Sequence, residues 1–227
     1  RIAQGKFTID ETTYQLATND GPNHLHGGSD GMAQQLWQVA PFKRNDNRIE
    51  LFYLSPDGEE GYPGDMTIRV VFELTNQDEL KILYRATASS TCIINLTNHA
   101  YFNLKGKGKV LDHELWINSN SITPTDANNI PTGELLNVAE TPFDFRKSTL
   151  VGERIKEDHP QLKYGKGYDH NWVLNNWNKS LQPAASIYES TTGRLVEVNT
   201  TEPGIQIYTA NTLSEIPTDD PNIHFPD

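Results

Sequence analysis

Two histidines are the residues of this chain best suited to chemistry. His26 lies in Asn-His-Leu-His-Gly-Gly at 23–28, and His99 lies 73 residues later in Thr-Asn-His-Ala-Tyr-Phe-Asn-Leu at 97–104. Each stands where a strand-like pattern meets Gly or Asn, so we expect each ring to project into a cleft. An imidazole has an unperturbed pKa of about 6.5 and can donate or accept a proton near neutral pH. The pattern therefore predicts an acid–base pair.

Two further motifs supply carboxylates. Gly-Tyr-Asp-His-Asn at 167–171 contains Asp169, and Thr-Thr-Glu-Pro-Gly at 200–204 contains Glu202. Polar groups in a cleft with an aromatic face beneath them are the expected lining of a site for a neutral sugar. Trp172 fits the aromatic part, although its position is equally typical of a core residue. These motifs point to carbohydrate chemistry.

A metal site is the alternative use of the first motif, because the spacing of His24 and His26 resembles half of a metal-binding pattern. Such patterns usually continue with a glutamate, whereas Gly-Gly-Ser follows here and Asp30 is the available substitute. In an extended run His24 would also point away from His26. We therefore expect His24 to be structural, and we expect no metal and no cofactor.

Composition narrows the class of protein. The 19 basic and 30 acidic residues give a net charge of -11, which argues against nucleic acid as a partner. No apolar run approaches the roughly 18 residues of a membrane span, and the N-terminus lacks a secretory apolar region, so no membrane partner is expected. Cys92 is the single cysteine, which excludes an intrachain disulfide and favours the cytoplasm.

Short runs of Val, Ile, Leu, Tyr and Thr between Gly, Pro, Asn and Asp predict an all-β protein. Alternation over 67–74 and 80–85 around a polar turn predicts a hairpin. A short helix is predicted at 149–157 and a long surface loop at 118–148. Further strand candidates are 48–54, 91–98, 110–117, 171–174, 184–189, 194–199 and 205–209. Without helices alternating with strands, the pattern favours one antiparallel sandwich domain over residues 1–227.

Seven segments together resemble the aldose 1-epimerase family, also called the galactose mutarotase family. Their order and approximate spacing match from residue 1 to about residue 212. The segments are 1–7, 23–28, 55–64, 95–104, 141–146, 167–171 and 200–211.

The resemblance implies a large antiparallel β-sandwich that interconverts the α and β anomers of aldoses such as galactose or glucose without a cofactor. It implies a free monosaccharide as partner and a monomer or homodimer. By position, His99 would be the general acid that protonates the ring oxygen, and His26 would bind the sugar and assist there. Asp169, Arg1 and Glu202 would contact sugar hydroxyls.

The chain also departs from the family pattern. It is expected to lack the family's N-terminal strands and part of its C-terminal segment. The family's catalytic base is a glutamate ahead of a Phe-Pro-Asp run; here Pro-Asn-Ile at 221–223 precedes His224-Phe-Pro-Asp, and Glu215 is the nearest glutamate upstream.

Three hypotheses follow for the function. The first is a mutarotase. The second is a carbohydrate-binding homologue without catalysis. The third is a glycoside hydrolase that uses Asp169 and Glu202, which requires two carboxyl groups about 5 to 9.5 Å apart.

Overall fold

The structure is a computed structural model that describes residues 1–43 and 46–213. Strands dominate the described part of the chain, and they pair in antiparallel sheets. The predicted all-β, antiparallel class is therefore confirmed. The described chain divides into two compact units, of which the first ends at His99 and the second begins at Ala100. The prediction of one domain stays a prediction.

The first unit contains two antiparallel sheets. Its strands are β1 (Lys6–Ile9), β2 (Thr12–Gln15), β3 (Gln38–Val39), β4 (Arg48–Ser55), β5 (Met66–Leu74) and β6 (Leu80–Ala88). Short 3-10 helices lie between them at Ala3–Gly5, Met32–Gln34 and Glu59–Gly61. Strands β1 and β2 form a hairpin, and the other four form a sheet in the order β3-β4-β5-β6.

The hairpin predicted from 67–74 and 80–85 is confirmed by β5 and β6, which pair with Leu74 opposite Leu80. Alternation along β5 directs every second side chain to one face, where the core of the first unit forms. The buried members of that core are Met66, Ile68 and Val70.

The second unit contains the remaining strands and a helix. They are β7 (Glu114–Ile117), β8 (Ser119–Thr123), β9 (Leu136–Asn137), β10 (Thr149–Leu150), α1 (Pro160–Gly165), β11 (Asp169–Leu174), β12 (Gln182–Glu189), β13 (Arg194–Thr200) and β14 (Gly204–Tyr208). No helix in the described residues is both long enough and apolar enough to cross a bilayer.

Two four-stranded sheets of the second unit, in the orders β10-β7-β12-β13 and β14-β11-β8-β9, share one hydrophobic core. Strands β7 and β12 bury apolar side chains from the first sheet, and β8 and β11 bury them from the second. The strand residues in this core are Leu115, Ile117, Ile122, Trp172, Leu174, Ala184 and Ala185. The unit is thus a β-sandwich with its core between the sheets.

Aromatic rings fill the centre of this core. The ring centroids of Phe143 and Trp172 lie 5.9 Å apart, and Phe145 and Tyr168 pack edge to face at 5.2 Å. Trp172 Nε1 donates a hydrogen bond to the Phe143 carbonyl at 3.1 Å, and Tyr168 Oη donates to the Pro142 carbonyl at 2.9 Å. Because Trp172 is fully buried, it is a core residue and not a platform for a sugar.

The predicted helix at 149–157 is wrong. Thr149–Leu150 forms β10, which pairs with β7, and turns follow it. The helix begins instead at Pro160, where the ring fixes a helical φ and the preceding residue, His159, accepts a hydrogen bond from the Gln161 N–H through Nδ1 at 3.2 Å. Pairing with a neighbouring strand and an N-terminal cap thus outweigh the helical pattern.

Two predictions about strands and loops are also wrong. The segment 118–148, predicted as a surface loop, contains β8 and β9. Its side chains Phe143 and Phe145 are buried in the core of the second unit. Residues 91–98 do not form a strand. An apolar, β-branched run becomes a strand when a neighbour exchanges backbone hydrogen bonds with it, which the local pattern cannot specify.

Phe143→Ala should lower the free energy of unfolding by about 3 to 5 kcal/mol, because it leaves a cavity among packed aromatic rings. Urea denaturation followed by tryptophan fluorescence measures this. Phe102 is 56% exposed and lies in the same unit, so Phe102→Ala is the matched control and should cost less than about 1 kcal/mol. Equal losses from the two variants would contradict the described core.

Candidate active site

The two histidines of the predicted acid–base pair meet within the first unit. The rings of His26 and His99 pack edge to face, with centroids 5.4 Å apart and an interplanar angle of 77°. Folding alone produces this contact, since 73 residues separate them in the chain. At this distance both imidazoles can contact one small molecule.

A tight turn with left-handed backbone carries His26. The φ angles are 53° at His26 and 82° at Gly27, and the Gly28 N–H donates to the Leu25 carbonyl at 3.1 Å. Positive φ at both central positions is typical of a type I′ turn, which glycine tolerates and histidine adopts more readily than most residues. Asn19 fixes this turn from one side, because its side-chain amide accepts from the N–H of Leu25 and donates to the Leu25 carbonyl, each at 2.9 Å.

Arg1 lies beside the same histidine segment. Its Nε donates to Asp20 Oδ2 at 2.6 Å. The next residue, Ile2, exchanges backbone hydrogen bonds of 2.9 and 3.0 Å with His24, two residues before His26. A partly exposed ion pair of this kind adds little stability, so its structural effect is to orient the guanidinium.

His24 is a structural residue, as expected. Its Nδ1 lies 2.7 Å from the Ala17 carbonyl and its Nε2 lies 2.8 Å from Tyr62 Oη. The carbonyl can only accept, so Nδ1 carries the proton and Nε2 accepts from the hydroxyl. Both ring nitrogens are thus used within the protein. In the ranges 1–43 and 46–213, no three His, Cys, Asp or Glu side chains are grouped as a metal site.

In the second unit, Asp169 begins β11 opposite Tyr208 of β14. Gln206 Nε2 donates a hydrogen bond to Asp169 Oδ1 at 2.9 Å, and Tyr101 packs edge to face on Tyr208 with ring centroids 6.1 Å apart. Sequence reasoning missed Gln206 and both tyrosines as neighbours of the carboxylate. The available signal was the alternation over Gly204–Tyr208, in which isoleucines alternate with Gln206 and Tyr208.

His170 is buried behind Asp169. Its Nδ1 accepts a hydrogen bond from the Asp169 backbone N–H at 3.1 Å, and its ring packs against Phe143 with centroids 4.8 Å apart. Burial lowers the pKa of His170 to about 4, against the opposing pull of the Asp169 charge. The neutral ring therefore anchors the backbone at the residue whose carboxylate lies on the other face of β11.

The structure does not bring Glu202 to Asp169. Glu202 is exposed and precedes β14, whose first residue Gly204 pairs with Val173, whereas Tyr208 at the other end pairs with Asp169. Four residues of strand correspond to about 13 Å. The strand pairing therefore gives no support to a pair of carboxyl groups about 5 to 9.5 Å apart, as a glycoside hydrolase requires.

The segment in which the resemblance places the catalytic base lies outside the described residues. It contains Glu215 and the run His224-Phe-Pro-Asp, within residues 214–227. Of the predicted site residues, Arg1, His26 and His99 belong to the first unit, and Asp169 and Glu202 belong to the second.

Comparison with known proteins places these features in a family. The family model described as aldose 1-epimerase matches residues 1–221. A galactose mutarotase from Sus scrofa is 45% identical over 215 residues, which are 94% of this chain and 60% of that protein. An aldose 1-epimerase from Escherichia coli strain K12 is 36% identical over 218 residues, which are 96% of this chain and 62% of that protein.

A solved structure gives the same result. The crystal structure of a galactose 1-epimerase from Lactobacillus acidophilus matches with a TM-score of 0.83 and 32% identity, covering 92% of this chain and 61% of that one. The chain thus spans about 60% of the length of the relatives it matches.

The buried His170 predicts an acid-sensitive fold. Its pKa is about 4 in the folded chain and about 6.5 in the unfolded chain, so the unfolded state binds more protons between these values. The stability that neutral His170 contributes above pH 6.5 should be lost as the pH falls toward 4, by about 2 kcal/mol between pH 6.5 and 4.5. Urea denaturation at both pH values should show a smaller loss for His170→Gln. Identical losses would rule out His170 as the titrating group.

Proposed function

Because this chain belongs to the aldose 1-epimerase family, we propose that it interconverts the α and β anomers of free aldoses such as galactose and glucose. The observation that carries the proposal is the 5.4 Å contact between the rings of His26 and His99. Two imidazoles that meet at the end of a glycine-containing turn can transfer protons to and from a small neutral substrate.

The reaction needs two proton transfers in each direction. A base removes the proton of the C1 hydroxyl while an acid donates a proton to the ring oxygen, and the bond between C1 and that oxygen breaks. Rotation about the bond between C1 and C2 then precedes closure, in which both protons return and the other anomer forms. We assign His99 as the acid at the ring oxygen and His26 as the residue that binds the sugar and assists there. Each positioned transfer contributes on the order of 10²- to 10⁴-fold.

Sugar hydroxyls require fixed hydrogen-bonding groups. We assign Asp169 to this role, since its carboxylate is oriented by Gln206 on one side and its backbone by buried His170 on the other. Arg1, held by Asp20, is a second candidate. Glu202, the third residue expected from the resemblance, stays a prediction.

The base for the C1 hydroxyl has no assigned side chain. Where the family pattern has a glutamate ahead of Phe-Pro-Asp, this chain has Pro-Asn-Ile at 221–223. If water takes the proton instead, turnover falls on the order of 10²-fold. We therefore expect residues 1–227 to accelerate mutarotation weakly.

We also propose a free monosaccharide as the partner and the cytoplasm as the compartment. Side chains with several hydrogen-bonding atoms, such as Asp169 and Arg1, suit a substrate that is rich in hydroxyl groups. The single cysteine suits a reducing compartment.

His99→Asn should lower the kcat of mutarotation about 10²-fold or more and leave sugar affinity largely unchanged, because asparagine can form hydrogen bonds but cannot donate a proton as an acid. Polarimetry of freshly dissolved α-D-galactose measures the rate. Leu195→Ala, at an exposed position on β13, is the control and should keep the original turnover.

A folded His99→Asn variant with the original turnover would overturn the assignment of the acid. With the original chain, galactose binding without acceleration would support the non-catalytic homologue. Release of sugar from an aryl glycoside would contradict the proposed function.

Asp169→Ala should weaken galactose binding roughly 10- to 150-fold, because charged hydrogen bonds to hydroxyls contribute about 1.5 to 3 kcal/mol. Isothermal titration calorimetry measures the dissociation constant. Asp126→Ala, in a loop of the same unit where the side chain accepts from two backbone N–H groups, is a matched control and should bind as the original chain does. An unchanged constant for Asp169→Ala would make Asp169 a structural residue.

A further inference from the structure

The segment Ser55-Pro-Asp-Gly-Glu-Glu-Gly-Tyr-Pro-Gly, residues 55–64, has no part in the proposed chemistry. We call it the clamp loop. It connects β4 to β5 and contains the 3-10 helix Glu59–Gly61. Two of its side chains, Glu60 and Tyr62, contact the segment that carries His26. If the clamp loop were only a turn exposed to solvent, these side chains would point into water. They instead form hydrogen bonds with the protein.

Glu60 holds the residues that follow His26. Its Oε1 accepts a hydrogen bond from the Asp30 N–H at 2.6 Å. Its carboxylate also lies against Gly28, so closely that a Cβ at that position would overlap it. Gly28 has a φ of 104°, so the absence of a side chain there serves both the backbone conformation and the approach of Glu60.

Tyr62 holds the residues that precede His26. Its hydroxyl donates to His24 Nε2 at 2.8 Å, while His24 Nδ1 donates to the Ala17 carbonyl at 2.7 Å. His24 is 1% exposed, so this chain of hydrogen bonds is shielded from water. Burial, with smaller contributions from Cys92 and Glu60, raises the pKa of Tyr62 to about 12, so the hydroxyl keeps the proton that it donates.

The turn between these two anchors needs such support. His26 has a φ of 53°, and the left-handed region is disfavoured for a residue with a Cβ. Glu60 itself has a φ of 49°, so the clamp loop also adopts a disfavoured conformation where it contacts the turn. The hydrogen bonds of Glu60 and Tyr62 therefore offset the conformational cost of the two facing segments.

We propose that Glu60 and Tyr62 are positioning residues that fix the imidazole of His26 against that of His99. The expected effect on the reaction rate rests on the proposed function. The effect on the position of the His26 ring does not depend on that function. The contacts that carry this role are with the protein: Glu60 acts through the backbone N–H of Asp30, and Tyr62 acts through the side chain of His24. A displacement of about 1 Å in a catalytic group costs up to about 10²-fold in rate.

Three variants test the proposal. Glu60→Ala removes the acceptor for the Asp30 N–H, whereas Glu60→Gln keeps an acceptor oxygen at that position. Tyr62→Phe removes the hydroxyl and keeps the ring. Tyr14→Phe is the matched control, because Tyr14 stacks on Phe7, as Tyr62 does, but lies on the β1–β2 hairpin.

Two measurements are made on each folded variant. Heteronuclear NMR of the imidazoles reports the environment of His26 and His99 without any need for activity. Polarimetry with α-D-galactose gives kcat/KM. We expect Glu60→Ala and Tyr62→Phe to shift the His26 ring signals and to lower kcat/KM about tenfold or more. Glu60→Gln should restore both to near the original values, and Tyr14→Phe should change neither.

The two measurements distinguish a failure of the proposed function from a failure of the positioning role. If the original chain does not accelerate mutarotation, the proposed function fails, and the NMR signals alone decide the positioning role. If Glu60→Ala and Tyr62→Phe fold and leave the His26 signals unchanged, the positioning role is overturned whatever the activity. If Glu60→Ala does not fold, Tyr62→Phe decides, since it removes a single oxygen atom.

Discussion

Neighbouring side chains on a strand point to opposite faces of the sheet, and the second unit depends on this constraint at β11. His170 and Trp172 are buried in the core, and Asp169 lies on the other face beside Gln206. A shift of one residue in register would bury the Asp169 carboxylate and expose the Trp172 ring, so the core that fixes the register also fixes the position of Asp169. Hydrophobic packing of His170 and Trp172 thus helps to fix the hydrogen bond between Gln206 and Asp169.

In the first unit, the position of the His26 ring is fixed in a different way. His26 lies on a turn and not on a strand, so no sheet register places its ring. Hydrogen bonds from Asn19, Ile2 and Glu60 to the backbone around it replace that register. A turn held at several backbone atoms can be as well defined as a strand, and it can present a side chain beyond the sheet edge.

Much of this structure could be predicted from the sequence, and the resemblance to the aldose 1-epimerase family is confirmed. Alternation predicted the β5–β6 hairpin, because that signal is local. The sequence motifs predicted His26 and His99 as a pair, and the rings of these two residues are in contact in the structure. The burial of Phe143 could not be predicted, because its partners lie in distant segments. Gln206 was missed for a related reason: its neighbour Asp169 is identified by the pairing of β14 with β11, and pairing between strands is not a local property.

The left-handed backbone at His26 also limits the substitutions by which this position can change during evolution. Asparagine and aspartate tolerate that conformation among residues with a Cβ, and each is one nucleotide away from either histidine codon. A single mutation can therefore remove the imidazole while the turn keeps its shape. Leucine, proline and arginine are equally near in the genetic code, but a bulky or ring-constrained residue would strain the turn as well. Under the proposed function, loss of catalysis and loss of loop structure are therefore separable events, and a single base change can remove the imidazole while the turn is kept.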